Sequence, residues 1–133
     1  SFVGSPWTLI VYMLGLKVEK NLINKDLFFK KRKEIKLILN KLNHFLCLHI
    51  KNQIEAGADV VQIFDSWASL IPKEHLEDYC YKPNYTLVDF CRKLNVPVIC
   101  FPKGIGKKYA TFSKIVKPNC VSIDFDIGLC CSL

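Results

Sequence analysis

The chain has no apolar run near the ~20 residues needed to span a bilayer, which excludes a helical membrane anchor within it. It has no basic N-terminal segment and no initiator Met, so a signal peptide is not expected. It has almost no arginine. Of 19 basic residues only Arg32 and Arg92 are Arg, and the lysines are scattered. The net charge of +7 therefore forms no basic strip interleaved with aromatics, and nucleic acid is not an expected partner. Cysteine is plentiful, with seven residues, but no C-x-x-C pair exists. An odd number of cysteines scattered through apolar segments points to reduced, buried thiols in a cytoplasmic setting. Cys47 and His49 lie two apart on a predicted helix and face different ways, so no metal site is expected there.

What is present is ordinary globular material. Half of the 133 residues are apolar and 23% are charged, enough for one domain spanning residues 1–133. The most informative stretch is Val60-Val61-Gln62-Ile63-Phe64-Asp65-Ser66-Trp67-Ala68. A β-branched apolar run that stops at Asp-Ser has the form of a buried parallel strand whose tip opens into a site. Gln53 to Asp59 before it reads as a helix end closed by Gly57.

The same unit recurs. Phe2-Val3 predicts a strand end, and Pro6 opens a helix through Met13. Lys17–Asn24 predicts a polar connection and Asp26–Lys31 a short helical turn. Lys33–Ala56 carries apolar residues at helical spacing, from Ile35 and Leu39 to Ile50 and Ile54. After the strand Val60–Phe64, a helix is predicted from Pro72 to Tyr81, broken by Pro83, then another from Tyr85 to Leu94. Val96–Phe101 predicts a third strand, Lys107–Val116 a helix, and Cys120–Ile123 a fourth strand ending at Asp124-Phe125-Asp126. The fold class is therefore α/β, with four consecutive β/α units: half of an eight-stranded barrel, or a small open sheet.

Several motifs fail on inspection. Gly104-Ile105-Gly106-Lys107-Lys108 follows a strand but lacks the first Gly and the spacing of a phosphate loop. Ser66 has no partner histidine at a tip, because His44, His49 and His75 all lie on predicted helices. Cys130-Cys131-Ser132-Leu133 has prenylation spacing but Ser in an aliphatic position. Asp65, Asp124 and Asp126 share one end of the sheet; they either meet a cationic ligand or Mg²⁺, or cap the strand ends.

The tips carry a resemblance. Phe2-Val3-Gly4-Ser5-Pro6-Trp7-Thr8-Leu9 with Tyr12-Met13 resembles the Gly-(Ala/Ser)-Pro-Trp-Thr-Leu segment of the uroporphyrinogen decarboxylase family. Gln53 to Ala68 is similar to the bacterial form of that enzyme almost residue for residue, and Phe101-Pro102-Lys103-Gly104 and Ser122-Ile123-Asp124-Phe125 are similar to its next two tips. The resemblance implies a partial (β/α)8 barrel. It implies removal of four carboxyl groups from uroporphyrinogen III to give coproporphyrinogen III, with no cofactor or metal, in a protein that is typically a homodimer. Carried over by motif, Tyr12 and Ser66 would contact substrate carboxylates and Phe64 would pack on the macrocycle, with Asp65, Trp67 and Lys103 in support.

Departures accompany it. The family's acidic residue for the pyrrole N–H groups and its arginine motif match nothing after Ser1, so no catalytic residue is assigned in this chain. The family's glycine run after Tyr-Met is replaced by Leu14-Gly15-Leu16-Lys17-Val18-Glu19, and residues 127–133 leave the pattern. The expectation is a truncated or split decarboxylase, inactive alone, needing a second copy or a complementary fragment. The rival readings are a methyltransferase of the same barrel superfamily and a non-catalytic, partner-binding remnant.

Overall fold

A computed structural model describes residues 1–20 and 22–125 of the chain. Strand β1 (Phe2–Gly4) leads into helix α1 (Pro6–Leu14). Ser5 caps the helix: its Oγ accepts the Thr8 N–H at 3.1 Å, and Pro6 fills the first turn, where a backbone N–H is not needed. Gly15 closes α1 in the left-handed region, φ 58°. Next come β2 (Lys17–Glu19) and β3 (Leu22–Ile23), paired as an antiparallel hairpin. The sequence predicts only a polar connection here. Lys17, Val18 and Glu19 are all exposed, so no alternation of inside and outside residues marks the strand.

Helix α2 (Lys25–Lys30) starts at Asn24, whose Oδ1 accepts the Leu27 N–H at 3.0 Å. Helix α3 (Arg32–Glu55) buries Ile35, Leu39, Leu46 and Ile50, as its spacing predicts, and leads to β4 (Val61–Asp65). Two single 3₁₀ turns, Ala68–Leu70 and Lys73–His75, and a wide π turn at Glu77–Tyr81 then precede α4 (Lys82–Lys93). The predicted break at Pro83 does not occur. In the π turn the Lys82 N–H reaches back to the Glu77 carbonyl, and Pro83 falls in the first turn of α4, where its missing N–H is tolerated. The π turn also aims Tyr79 at Trp7 of α1 and Phe28 of α2, with ring centroids 5.7 and 5.1 Å apart, which seats the α1–α2 segment on the helix layer.

Asn95, at φ 58°, ends α4 as expected, and β5 (Val98–Pro102) follows. A 3₁₀ turn at Gly106–Lys108 opens α5 (Tyr109–Val116), and β6 (Cys120–Val121) is two residues shorter than the predicted strand. Asp126, the Cys130 motif and the divergent residues 127–133 lie outside the described residues.

β1, β4, β5 and β6 form one sheet in that order, with every pair parallel. Gly4 aligns with Phe64 and Phe64 with Phe101, so all strand tips point the same way. Alternation along the strands gives two unlike faces. Val3, Val61, Ile63, Val98 and Cys100 lie under the helices, each no more than 6% exposed. Gln62, Phe64, Ile99 and Phe101 turn the other way and are only partly covered. β1 and β6 are edge strands with no further neighbour among the described residues.

Candidate functional site

The part-covered face carries a row of aromatic rings. Phe2 meets Phe64 edge-on at 6.0 Å between centroids, and Phe64 meets Phe101 edge-on at 6.4 Å. Phe64 thus lies at the centre of this row, on the part-covered face of the sheet.

Asp65 points the opposite way, as the next residue of a strand must. It is fully buried among the helices. Its Oδ1 accepts the Thr8 hydroxyl of α1 and its Oδ2 accepts the Asn84 amide of α4, both at 3.0 Å. Asn84 also donates to the Cys80 carbonyl exposed by the π turn, at 2.8 Å. Burial pushes the Asp65 carboxyl above its usual range, against hydrogen bonds from Ser5, Asn84, Thr8 and Cys80 that favour the charged form. Of the two uses open to this carboxylate, the geometry places it in the strand-end one. It ties the β4 tip to two helices. Thr8 Oγ1 passes the tie on by accepting the Trp67 N–H at 3.4 Å. Ser66, half-buried, lies between these two anchored residues.

The β5 tip is fixed in a similar manner. Asp124 Oδ2 accepts the Gly104 N–H and the Tyr109 hydroxyl, each at 2.6 Å. Burial and then the Asp124 contact hold the Tyr109 phenol well above its usual pKa. Lys103 donates its N–H to the Asp65 carbonyl and accepts the Ser69 N–H with its own, both at 3.1 Å, so the β4 and β5 tips are joined through its backbone. The join is tight at Gly104. A Cβ there would come within 2.6 Å of the Ser69 Cβ, and φ is 80°. The Lys103 side chain stays exposed.

Tyr12 is 65% exposed and stands edge-on to Trp67 at 6.1 Å. Trp67 is held in turn by Trp7, whose Nε1 donates to the Trp67 carbonyl at 2.8 Å. Lys17, from the hairpin, rests its ammonium 4.2 Å from the centre of the Trp67 ring. The tips therefore assemble Tyr12, Ser66, Trp67 and Lys103 at one end of an aromatic face. Sequence reading missed Thr8 and Asn84 as partners of Asp65, Tyr109 as partner of Asp124, and Lys17. Asn84 had a signal: Cys80, Asn84, Leu87 and Cys91 share one buried helix face, which appears once Pro83 is not read as a break. Lys17 had none.

Among the described residues no three His, Cys, Asp or Glu side chains group as metal ligands, and no helix is long and apolar enough to cross a membrane. The five described cysteines are free thiols. Cys80, Cys91 and Cys100 are buried as expected, whereas Cys120 is exposed. Burial raises the Cys91 thiol to about 11.

The family model described as "Uroporphyrinogen decarboxylase (URO-D)" matches residues 1–130. A protein named uroporphyrinogen decarboxylase from Orientia tsutsugamushi (strain Boryong) is 37% identical over 136 residues, covering 96% of this chain and 38% of that protein. One of the same name from Rickettsia bellii (strain RML369-C) is 32% identical over 126 residues, covering 92% of this chain and 37% of that protein. One from Campylobacter lari is 40% identical over 108 residues, covering 79% and 32%. The chain thus spans less than two-fifths of the length of these relatives.

Proposed function

The chain belongs to the uroporphyrinogen decarboxylase family, and from that premise we propose that its aromatic face and strand tips form one wall of a uroporphyrinogen cleft. The family's fold is an eight-stranded β/α barrel, and the four parallel strands with their helices fit half of one. The observation that carries the reading is an edge-to-face aromatic row, Phe2–Phe64–Phe101, on a sheet face whose strand tips bear hydroxyl and ammonium groups.

The reaction serving that cleft would be decarboxylation to coproporphyrinogen III. Protonating a pyrrole carbon beside an acetate arm turns the ring into an electron sink. The C–C bond to the carboxylate then breaks, CO₂ leaves, a second proton adds to the exocyclic carbon to complete the methyl group, and the ring carbon gives up the first proton to restore the pyrrole, so one proton is taken up per CO₂ released. Phe64 would pack on the macrocycle and exclude water, which strengthens every charge interaction inside the cleft. The Tyr12 and Ser66 hydroxyls would donate to ligand carboxylates, and Lys103 would supply positive charge. Asp65 would act at one remove, by holding Ser66 and Trp67 in place. We assign the protonation of the pyrrole carbon to none of these groups; this chain would contribute binding and positioning, and the proton donor would come from the barrel's other strands.

As a single partial-barrel domain, with two edge strands that have no further neighbour among the described residues and a part-covered apolar face, these four β/α units would work with the barrel's other strands in place. Its free thiols fit a cytoplasmic setting. The test is coproporphyrinogen formation from uroporphyrinogen III, by the chain alone and mixed with the remaining strands of a relative. No turnover alone and recovery on mixing is the expected result. Turnover by the chain alone at a full-length relative's rate would overturn the need for the other strands, and no turnover in either case would overturn the assignment.

A further inference from the structure

We infer that Lys17 is an additional carboxylate-binding residue of this cleft, one that favours a more heavily carboxylated ligand over a less carboxylated one; the inference rests on the cleft reading above. Lys17 lies in the segment that replaces the family's glycine run, and the hairpin gives that segment a fixed course. Leu16 is wholly buried beside it, its N–H donating to the Val11 carbonyl at 3.1 Å and its carbonyl accepting the Asn24 N–H at 2.7 Å. From that anchor the Lys17 side chain crosses to the β4 tip and lies over the Trp67 indole, 4.2 Å from its centre.

The indole itself has little freedom. Its residue is held by the Trp7 Nε1 and by Thr8 Oγ1, and Tyr12 abuts it edge-on. A cation held on a fixed aromatic face is oriented without being neutralised. Lys17 differs in this from Lys31, Lys36, Lys51, Lys82 and Lys93, each of which faces a carboxylate within 4.0 Å. Among the described residues no carboxylate stands within that distance of Lys17. Its charge is therefore free to meet an anion, beside the exposed Tyr12 and one residue from Ser66 through Trp67. Uroporphyrinogen carries four carboxylates more than the product, so a cation at the rim favours substrate over product.

The test uses stable oxidised porphyrins as probes: octacarboxylate uroporphyrin and tetracarboxylate coproporphyrin, titrated into the 133-residue chain and followed by quenching of tryptophan fluorescence. Lys17→Met is expected to weaken octacarboxylate binding about three- to fivefold and tetracarboxylate binding less, as for an exposed ion pair. The difference should fade in high salt. Lys17→Arg should retain the wild-type preference, and Lys20→Met, an exposed change on the same hairpin, should leave it unmoved. Unchanged octacarboxylate preference in Lys17→Met, or an equal loss in Lys20→Met, would overturn the role of Lys17 while leaving the cleft standing. Failure of the unaltered chain to bind either porphyrin would overturn the cleft reading, and the role of Lys17 with it.

Discussion

Ile63 and Phe64 are neighbours on one strand and live in different worlds. Ile63 points under the helices and is wholly buried; Phe64 points away, is partly exposed, and meets the rings of Phe2 and Phe101. The same division runs through the sheet. Its helix-facing side is closed by α1 and α4, with α3 packed on both, and locked at the tip by Asp65, Thr8 and Asn84. Its other side is apolar yet only partly covered. One face has been satisfied by the chain's own folding. The other has the chemistry of an interior without, among the described residues, the neighbours of one.

The contrast breaks most sharply under truncation. Ile63→Ala should destabilise the fold by ~2–5 kcal/mol, the cost of a cavity in a closed layer. Phe64→Ala should cost about 1 kcal/mol or less in stability, yet weaken porphyrin binding. Urea unfolding of the pair measures both, and equal losses would erase the distinction between the faces. A smaller effect tests the tips that join the faces. Gly104→Ala meets both the left-handed φ and the Ser69 Cβ, and should cost ~1–3 kcal/mol. Adding Ser69→Gly should return only the steric part, because the backbone strain remains. Full recovery in the double variant would show that the conformation at Gly104 is not strained by a side chain.

The smallest effect is in pH. Burial raises the folded-state pKa of Asp65 above its unfolded value. Between those two values the folded state binds more protons, so the contribution of this group to stability falls as pH rises through the window. Asp78 runs the opposite way. The Lys82 hydrogen bond lowers its pKa, so its contribution is present above the ordinary carboxylate value and is lost as pH falls through the folded one. Asp65→Asn should therefore flatten the wild-type-minus-variant stability difference above the raised pKa and leave the Asp78 limb intact. Thermal unfolding across pH 3–7 reads this directly.

The sheet was legible in the sequence because short β-branched runs ending at polar tips mark parallel strands, and the long α3 because its apolar spacing persists over many turns. The hairpin was not, since Lys17–Glu19 is exposed throughout and no periodicity distinguishes it from a loop. Continuity through Pro83 was hidden because the widened turn that admits it leaves no local composition signal. At the site, the residue types at the tips were readable. Their directions were not. Whether Asp65 faces ligand or helix depends on the phase of the strand and on Asn84, 19 positions away, and the grip of Lys17 on Trp67 spans 50.

The order of strands in the sheet has a consequence for how the chain takes shape. Because β1, β4, β5 and β6 are adjacent in the order in which they are synthesised, each new strand emerges beside a template already laid down. The first pairing closes the widest gap, from Phe2 to Gln62, and the later ones close shorter gaps, from Val61 to Val98 and from Ile99 to Cys120. Loop-closure entropy grows with the logarithm of that gap. The earliest step is therefore the slowest to nucleate, and the arc grows more readily from there, one β/α unit at a time.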